Sequence, residues 1–383
     1  MFFHELERRR QDRSTGEPVK TRNKWSALIF GQFVALVATS MNATSYTLEY
    51  GMKKVFPMFL MFFSYTILSL HLFWSCSQSS SSSVSEEEEA RYRIPFTNVK
   101  IRTPWYYYLC LSILDIGSNY LTLLAMTQTS FTSATLLGSL TIPSTMIFCN
   151  ILLGKVYRPM HYVGVFLCMM GGSITILTDM GVTSSSSSSD NHPNSYTGDI
   201  LAVVAAVGYG VGDAAAEFWV KHIDRKEYLG MIGLFGSLWA LIASFVFERK
   251  AIIDLFADKK LLLPTSGIIV WYIISLVAYY ILESTFLTKS DATLLNLSLQ
   301  TSNFYAILFS VIVFREIPDI HFFVAIVFVI SGVFVYELCG NNDYYSTQRI
   351  CQRKQHDNKL TNNNSDAIPS QKTTYQSIET INI

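Results

Sequence analysis

DATLLNLSLQT, residues 291–301, is a second version of SATLLGSLTIP, residues 133–143, displaced by 158 positions. The likeness extends outward from both stretches. After a two-residue slip His161 matches His321 and Gly172 matches Gly332, and upstream TLEYGMK around Glu49 and Lys53 resembles AAEFWVK around Glu217 and Lys221. The chain therefore reads as two copies of one design, and a fold deduced for one copy must serve for both.

Each copy is a series of long apolar runs. A helix needs about 20 apolar residues to cross a bilayer, because only internal hydrogen bonding satisfies the backbone in hydrocarbon. Runs of that kind fall near 25–46, 56–76, 104–126, 129–154, 159–179, 198–220, 227–247, 266–288, 291–314 and 319–339. They predict an all-α membrane protein of ten transmembrane helices, arranged as two five-helix repeats. Five is odd, so the second repeat enters the membrane upside down relative to the first. The predicted organisation is a basic segment at 1–24, a first repeat at 25–179, a Ser-rich loop at 180–197, a second repeat at 198–340 and a tail at 341–383. A Ser- and Glu-rich loop at 77–103 interrupts the first repeat. The opening residues are charged rather than apolar, so the first span is expected to direct the chain to the membrane.

Charge distribution sets the sidedness. Of 29 Lys and Arg residues, 22 lie in the termini and on the loops that ten spans place beside them. The positive-inside rule assigns that side to the cytosol, with both termini there. Golgi, endosomal and plasma membranes all remain open. The low-complexity stretches Ser79–Ser83 with Glu86–Glu89 and Ser184–Ser189 read as solvated disorder, as does the tail with its Tyr375-Gln-Ser-Ile378 sorting-like pattern.

Composition excludes several functions. Half of the chain is apolar, 15% is charged and the formal net charge is zero, so no overall field draws nucleic acid. Six cysteines show no metal spacing, and Cys110, Cys149 and Cys168 lie inside apolar runs as small hydrophobes. No phosphate-binding Gly-Lys-Ser/Thr loop and no catalytic set stands at a credible depth, so neither a cofactor nor an enzyme activity is expected.

What does stand at depth is a limited group of polar side chains. A charge at the bilayer centre costs at least about 2.5 kcal/mol, so each needs a reason. Asp115 and Asn119 are four apart, with Tyr120 beside them; Asp213 and Glu217 are four apart; Asn296, Gln300 and Asn303 follow a zero, four, seven spacing; Glu283 stands alone. Each spaced set occupies one helix face and is expected to point into the bundle, toward a polar solute or a proton. Other readings stay open beside this one: the amides tie helices together, and Glu217 pairs with Lys221.

These residues and their order resemble solute carrier family 35, subfamily F, within the drug/metabolite transporter superfamily. The likeness runs from about residue 25 to 340 and rests on DIGSNY from Asp115, LTIP from Leu140, EFWVK followed by EYLGMIGLFGSLW from Glu227, and NLSLQTSNFY from Asn296. The resemblance implies the ten-helix drug/metabolite transporter fold with a central cavity. It also implies secondary transport of a small organic solute, nucleotide-, nucleoside- or vitamin-like. Ala216, Gly117 and Asn303 stand where the family pattern leads one to expect acids, so a shared ion-coupling scheme does not carry over. The rival expectation is a non-transporting receptor or scaffold that keeps the fold. Expected partners are the small-molecule substrate and membrane lipid, with a homodimer left open.

Overall fold

A computed structural model describes residues 24–52, 56–79, 92–93, 100–129, 134, 137–183, 196–257, 259–302, 304–305 and 320–340. The basic amino-terminal segment, most of the Ser/Glu-rich loop, the centre of the Ser-rich loop, Asn303 and the tail lie outside these residues. The described chain is helical: α1 Lys24–Met52, α2 Pro57–Ser79, α3 Trp105–Gln128, α4 Thr141–Leu153, α5 Pro159–Thr183, α6 Tyr196–His222, α7 Arg225–Phe247, α8 Arg249–Ala257, α9 Lys259–Lys289, α10 Ala292–Leu299 and α11 Ile320–Gly340. The exception is a two-residue antiparallel pair, β1 Tyr92–Arg93 with β2 Lys100–Ile101, ahead of α3.

Five helical segments are long and apolar enough to cross a membrane: Trp25–Thr44, Trp105–Met126, Tyr196–His222, Arg225–Phe247 and Ser266–Lys289. Shorter apolar segments are Pro57–Leu72, Thr141–Leu153, Pro159–Ile174 and Phe323–Glu337. The outer faces carry Ile29, Ile147, Phe166, Ile200 and Phe245, all exposed. Bare aliphatic and aromatic surface on every side of a bundle is what a lipid-facing protein presents. The chain is an integral membrane protein.

Two boundaries differ from the apolar runs. In the run at 129–154 the long regular helix begins at Thr141, after a turn at 139–140. Pro143 explains the late start. It occupies the third helical position, where an absent N–H leaves no intrahelical bond unmade. In the run at 291–314 α10 ends at Leu299, and there the Thr301 N–H and hydroxyl both donate to Ser298 O, at 3.0 and 2.6 Å; the rest of that run beyond Tyr305 lies outside the described residues. That tighter closure is the local hydrogen bonding by which Ser and Thr compete with a regular helix.

Close helix pairs build the interior. On α7, Gly230, Gly233 and Gly236 form a stripe against α2; a methyl on Gly233 would meet Leu68 C at 2.7 Å and Tyr65 O at 2.8 Å. On α5 and α11, Gly164 and Gly332 face each other's carbonyl oxygens. Small residues of this kind let backbones approach where lipid supplies no hydrophobic drive to associate. The other principal pairs are α3 with α6, α1 with α9, α4 with α6, α1 with α10, α3 with α7 and α2 with α9. Aromatic residues divide between belt and core. Tyr106 and Trp271 are exposed, whereas Tyr108 and Tyr272 are buried.

Candidate functional site

A cavity of about 410 Å³ lies between α1, α2, α3, α6, α7 and α9. Its lining runs from Glu283 and Tyr228 to Met58, Met126 and Tyr272. These last three lie toward the end of the bundle that carries the start of α2 and the α7–α8 junction. The α4–α5, α6–α7 and α9–α10 connections make the opposite end, which Glu217 closes by pairing with Lys155 and Lys221 and accepting from Ala292 N–H.

Asp115 of α3 faces the cavity. Its Oδ2 accepts from the Tyr65 hydroxyl of α2 at 2.5 Å and from the Tyr280 hydroxyl of α9 at 3.0 Å. One turn on, Asn119 donates to Asp115 O at 2.9 Å and accepts from the Tyr209 hydroxyl at 2.9 Å. The Asp115/Asn119 face is thus a cavity wall whose polar atoms are fixed by α2, α6 and α9.

Asp213 of α6 also lines the cavity. Asn296 Nδ2 donates to its Oδ2 at 2.7 Å and to Thr145 Oγ1 at 3.1 Å. Asn296 is buried behind Asp213. Thr145 of α4 and Asn296 of α10 therefore hold the α6 carboxylate between them. Glu283 of α9 completes the set. It lines the cavity at 9% exposure, and no hydrogen bond or ion pair reaches its carboxyl among the described residues.

The remaining candidates lie elsewhere. Glu217 is fully buried at the closed end, where Lys155 Nζ approaches its Oε1 at 2.5 Å and Lys221 Nζ at 2.6 Å. Ala292 N–H donates to its Oε2 at 2.8 Å. Burial pulls the Lys155 amine down, but Glu217 and then Asp291 outweigh it and hold the group well above its ordinary value, as an ammonium. Tyr120 stacks on Phe247, with ring centroids 4.5 Å apart, and is not part of the cavity wall. Gln300 turns toward α5, where a methyl on Gly172 would meet its Oε1 at 3.3 Å. Asn303 lies outside the described residues. Spacing places residues on one face; it does not say which neighbour that face meets.

Several residues of the site give little signal in the sequence. Tyr65, Tyr228 and Tyr272 are single phenols in apolar runs, whereas Tyr279 and Tyr280 stand four and three positions before Glu283 and share its helix face. Two buried acids mark helix ends. Glu227 accepts from Arg102 N–H at 3.0 Å and from the Tyr108 hydroxyl at 2.8 Å, tying the start of α7 to the start of α3. Glu248 accepts from the Met58 and Phe59 N–H groups, each at 2.9 Å.

Glu248 caps a helix other than its own. Phe56, preceding α2, has no side-chain acceptor, so the carboxyl at the end of α7 satisfies the first amides of α2. Burial pushes the Glu248 carboxyl up to about 7, although both amides favour its charged form. A carboxyl raised on folding adds stability that is complete below its ordinary value of 4.5 and is lost as pH rises through about 7. The melting temperature in detergent is therefore expected to fall between about pH 5 and about pH 8 by more than that of Glu248→Gln. Equal falls in the two proteins would remove Glu248 as the source.

The structure is thus a lipid-facing helical bundle around a polar cavity, the architecture of a multi-pass membrane protein. The family profile described as solute carrier family 35 matches residues 20–338, and the chain belongs to that family. Solute carrier family 35 member F2 of Mus musculus is 28% identical over 290 residues, covering 75% of this chain and 72% of the relative. Its Xenopus tropicalis counterpart is 26% identical over 289 residues, covering 75% and 70%. A solved structure described only as the crystal structure of a protein is similar with a TM-score of 0.60 at 17% identity. The match covers 82% of this chain and 96% of the other, which establishes likeness of fold.

Proposed function

We propose that this protein is a secondary transporter that moves a small organic solute by alternating access, with the cavity of Asp115, Asp213 and Glu283 as its binding site. The observation that carries the reading is the cavity itself, whose acids come from α3 on one side and from α6 and α9 on the other. Helix packing supports two inverted five-helix repeats. When α1–α5 are exchanged in order with α6, α7, α9, α10 and α11, the principal pairs are retained. The α3–α6 pair becomes α9–α1, α4–α6 becomes α10–α1, and α3–α7 becomes α9–α2. A site at the interface of such halves is reached from either side as they rock. With the termini cytosolic, the Glu217 ion cluster lies on the cytosolic side of the cavity and the start of α2 on the other.

A volume of about 410 Å³ suits a nucleoside- or vitamin-sized molecule. Among the described residues no Lys or Arg lines the cavity, so it offers no cationic side chain to a phosphate. Solutes without phosphate are accordingly favoured over nucleotides.

Gly212 provides the test. It lines the cavity, and a methyl there would meet nothing within 4 Å. Gly212→Leu is therefore expected to fill binding space without disturbing packing. Solute uptake into vesicles containing the purified protein should drop at least about tenfold at unchanged abundance, the loss that corresponds to about 1.4 kcal/mol of binding. Gly267→Leu, on the exposed surface of α9 and equally free of neighbours, should leave uptake unchanged. A well-folded wild type that moves none of a broad metabolite panel would favour a receptor or scaffold.

A further inference from the structure

We infer that the solute is an organic cation and that it exchanges for a proton at Glu283. The inference rests on the transport reading and deepens it. Glu283 is nine-tenths buried, lines the cavity and receives no hydrogen bond among the described residues. Its two fellow acids differ in this respect, since Asp115 accepts from two phenols and Asp213 from an amide.

The groups around Glu283 offer it no compensation. Facing it are Asp115 of α3, Asp213 and Tyr209 of α6, Tyr228 of α7, and Tyr279 and Tyr280 of its own helix, with Tyr65 of α2 behind Tyr280. Among the described residues neither Lys, Arg nor His lines the cavity. An isolated buried carboxylate is too costly to persist, so the group answers its burial by holding a proton or a cation. Without solute it holds the proton. When an ammonium or a delocalised aromatic cation enters, the O–H bond breaks and the proton leaves to water. The carboxylate then pairs with the cation. The tyrosine rings add a second attraction, because an aromatic face draws positive charge. Release on the other side reverses the step, and one monovalent cation moves one way for each proton moving the other, with no net charge transferred.

The experiment uses the purified full chain in weak buffer with a pH indicator. Tetraethylammonium and 1-methyl-4-phenylpyridinium are the cationic probes, with uridine and uridine monophosphate as neutral and anionic ones. Binding of a cation is expected to release about one proton per molecule from wild type and from Glu283→Asp, and none from Glu283→Gln. In vesicles, an acidic interior should speed cation entry through wild type and not through Glu283→Gln. Failure of both cations to bind, or proton release that persists in Glu283→Gln, overturns the inference. Uptake of uridine or its monophosphate that exceeds cation uptake and is indifferent to the proton gradient overturns it as well, yet leaves the transport reading in place. Loss of that reading is recognised separately, by folded protein that moves no solute of any charge.

Discussion

Glu217→Gln is expected to cost about 3–5 kcal/mol of folding stability, because it takes the carboxylate in direct contact with both lysines out of a buried cluster and leaves only the more distant Asp291 to balance them. Glu217 is fully buried, with Lys155 at 2.5 Å and Lys221 at 2.6 Å from the same carboxylate oxygen. Its other oxygen takes the Ala292 N–H at 2.8 Å and lies 3.5 Å from Cys149 Sγ. One side chain of α6 thus joins the end of α4, the α4–α5 connection and the first residue of α10. Gln can still accept the α10 amide but cannot balance the lysines. Adding Lys155→Met to Glu217→Gln should recover part of the loss, since one of the two lysine charges is then gone. Unfolding of the purified protein by heat or denaturant reads both results. A Glu217→Gln protein that unfolds like wild type would mean that water reaches the cluster and that Glu217 does not hold the closed end together.

This cluster marks the point at which spacing fails. Asp213 and Glu217 are four apart and do share a face, yet one turn of rise carries Glu217 out of the cavity and into reach of Lys155. The pairing with Lys221 was legible, being another four-residue step along α6; the partner from the α4–α5 connection was not, because nothing local ties residue 155 to residue 217. Asp115 and Asn119 were legible as a polar face and line the cavity, but the phenols that fix Asp115 come from α2 and α9, far away in the chain. Glu248 illustrates the same limit. It ends one helix and caps another that begins some 190 residues earlier, and only the packing of α7 against α2 brings the two together. The bundle itself followed more directly, since lipid demands long apolar runs and small residues at close crossings. Pro143 and the Ser298–Thr301 closure then altered the helix boundaries through backbone chemistry that hydropathy does not register.

Asn296→Ala is expected to weaken solute affinity about ten- to a hundredfold while protein abundance stays near normal, the range given by about 1.5–3 kcal/mol for a lost hydrogen bond to a charged group. Asn296 lies behind the cavity and gives the same amide nitrogen to Asp213 at 2.7 Å and to Thr145 at 3.1 Å. Without it, Asp213 keeps the Thr145 hydroxyl, at 3.5 Å, and its carboxylate is free to rotate away from the position that the solute meets. The same substitution removes little packing, because the amide is short and its backbone remains in α10. Gln300→Ala is the internal control. It belongs to the same stripe in the sequence, but its side chain turns toward Gly172 of α5, so affinity should be unchanged whatever happens to abundance. Uptake normalised to surface protein, measured over a range of solute concentrations, separates the two residues. Lower abundance with unaltered affinity in Asn296→Ala would reduce its role to tying α10 to α6. Equal affinity losses in Asn296→Ala and Gln300→Ala would instead mean that both side chains reach the solute in another form of the transport cycle, with α10 turning about the bend at Ser298–Thr301.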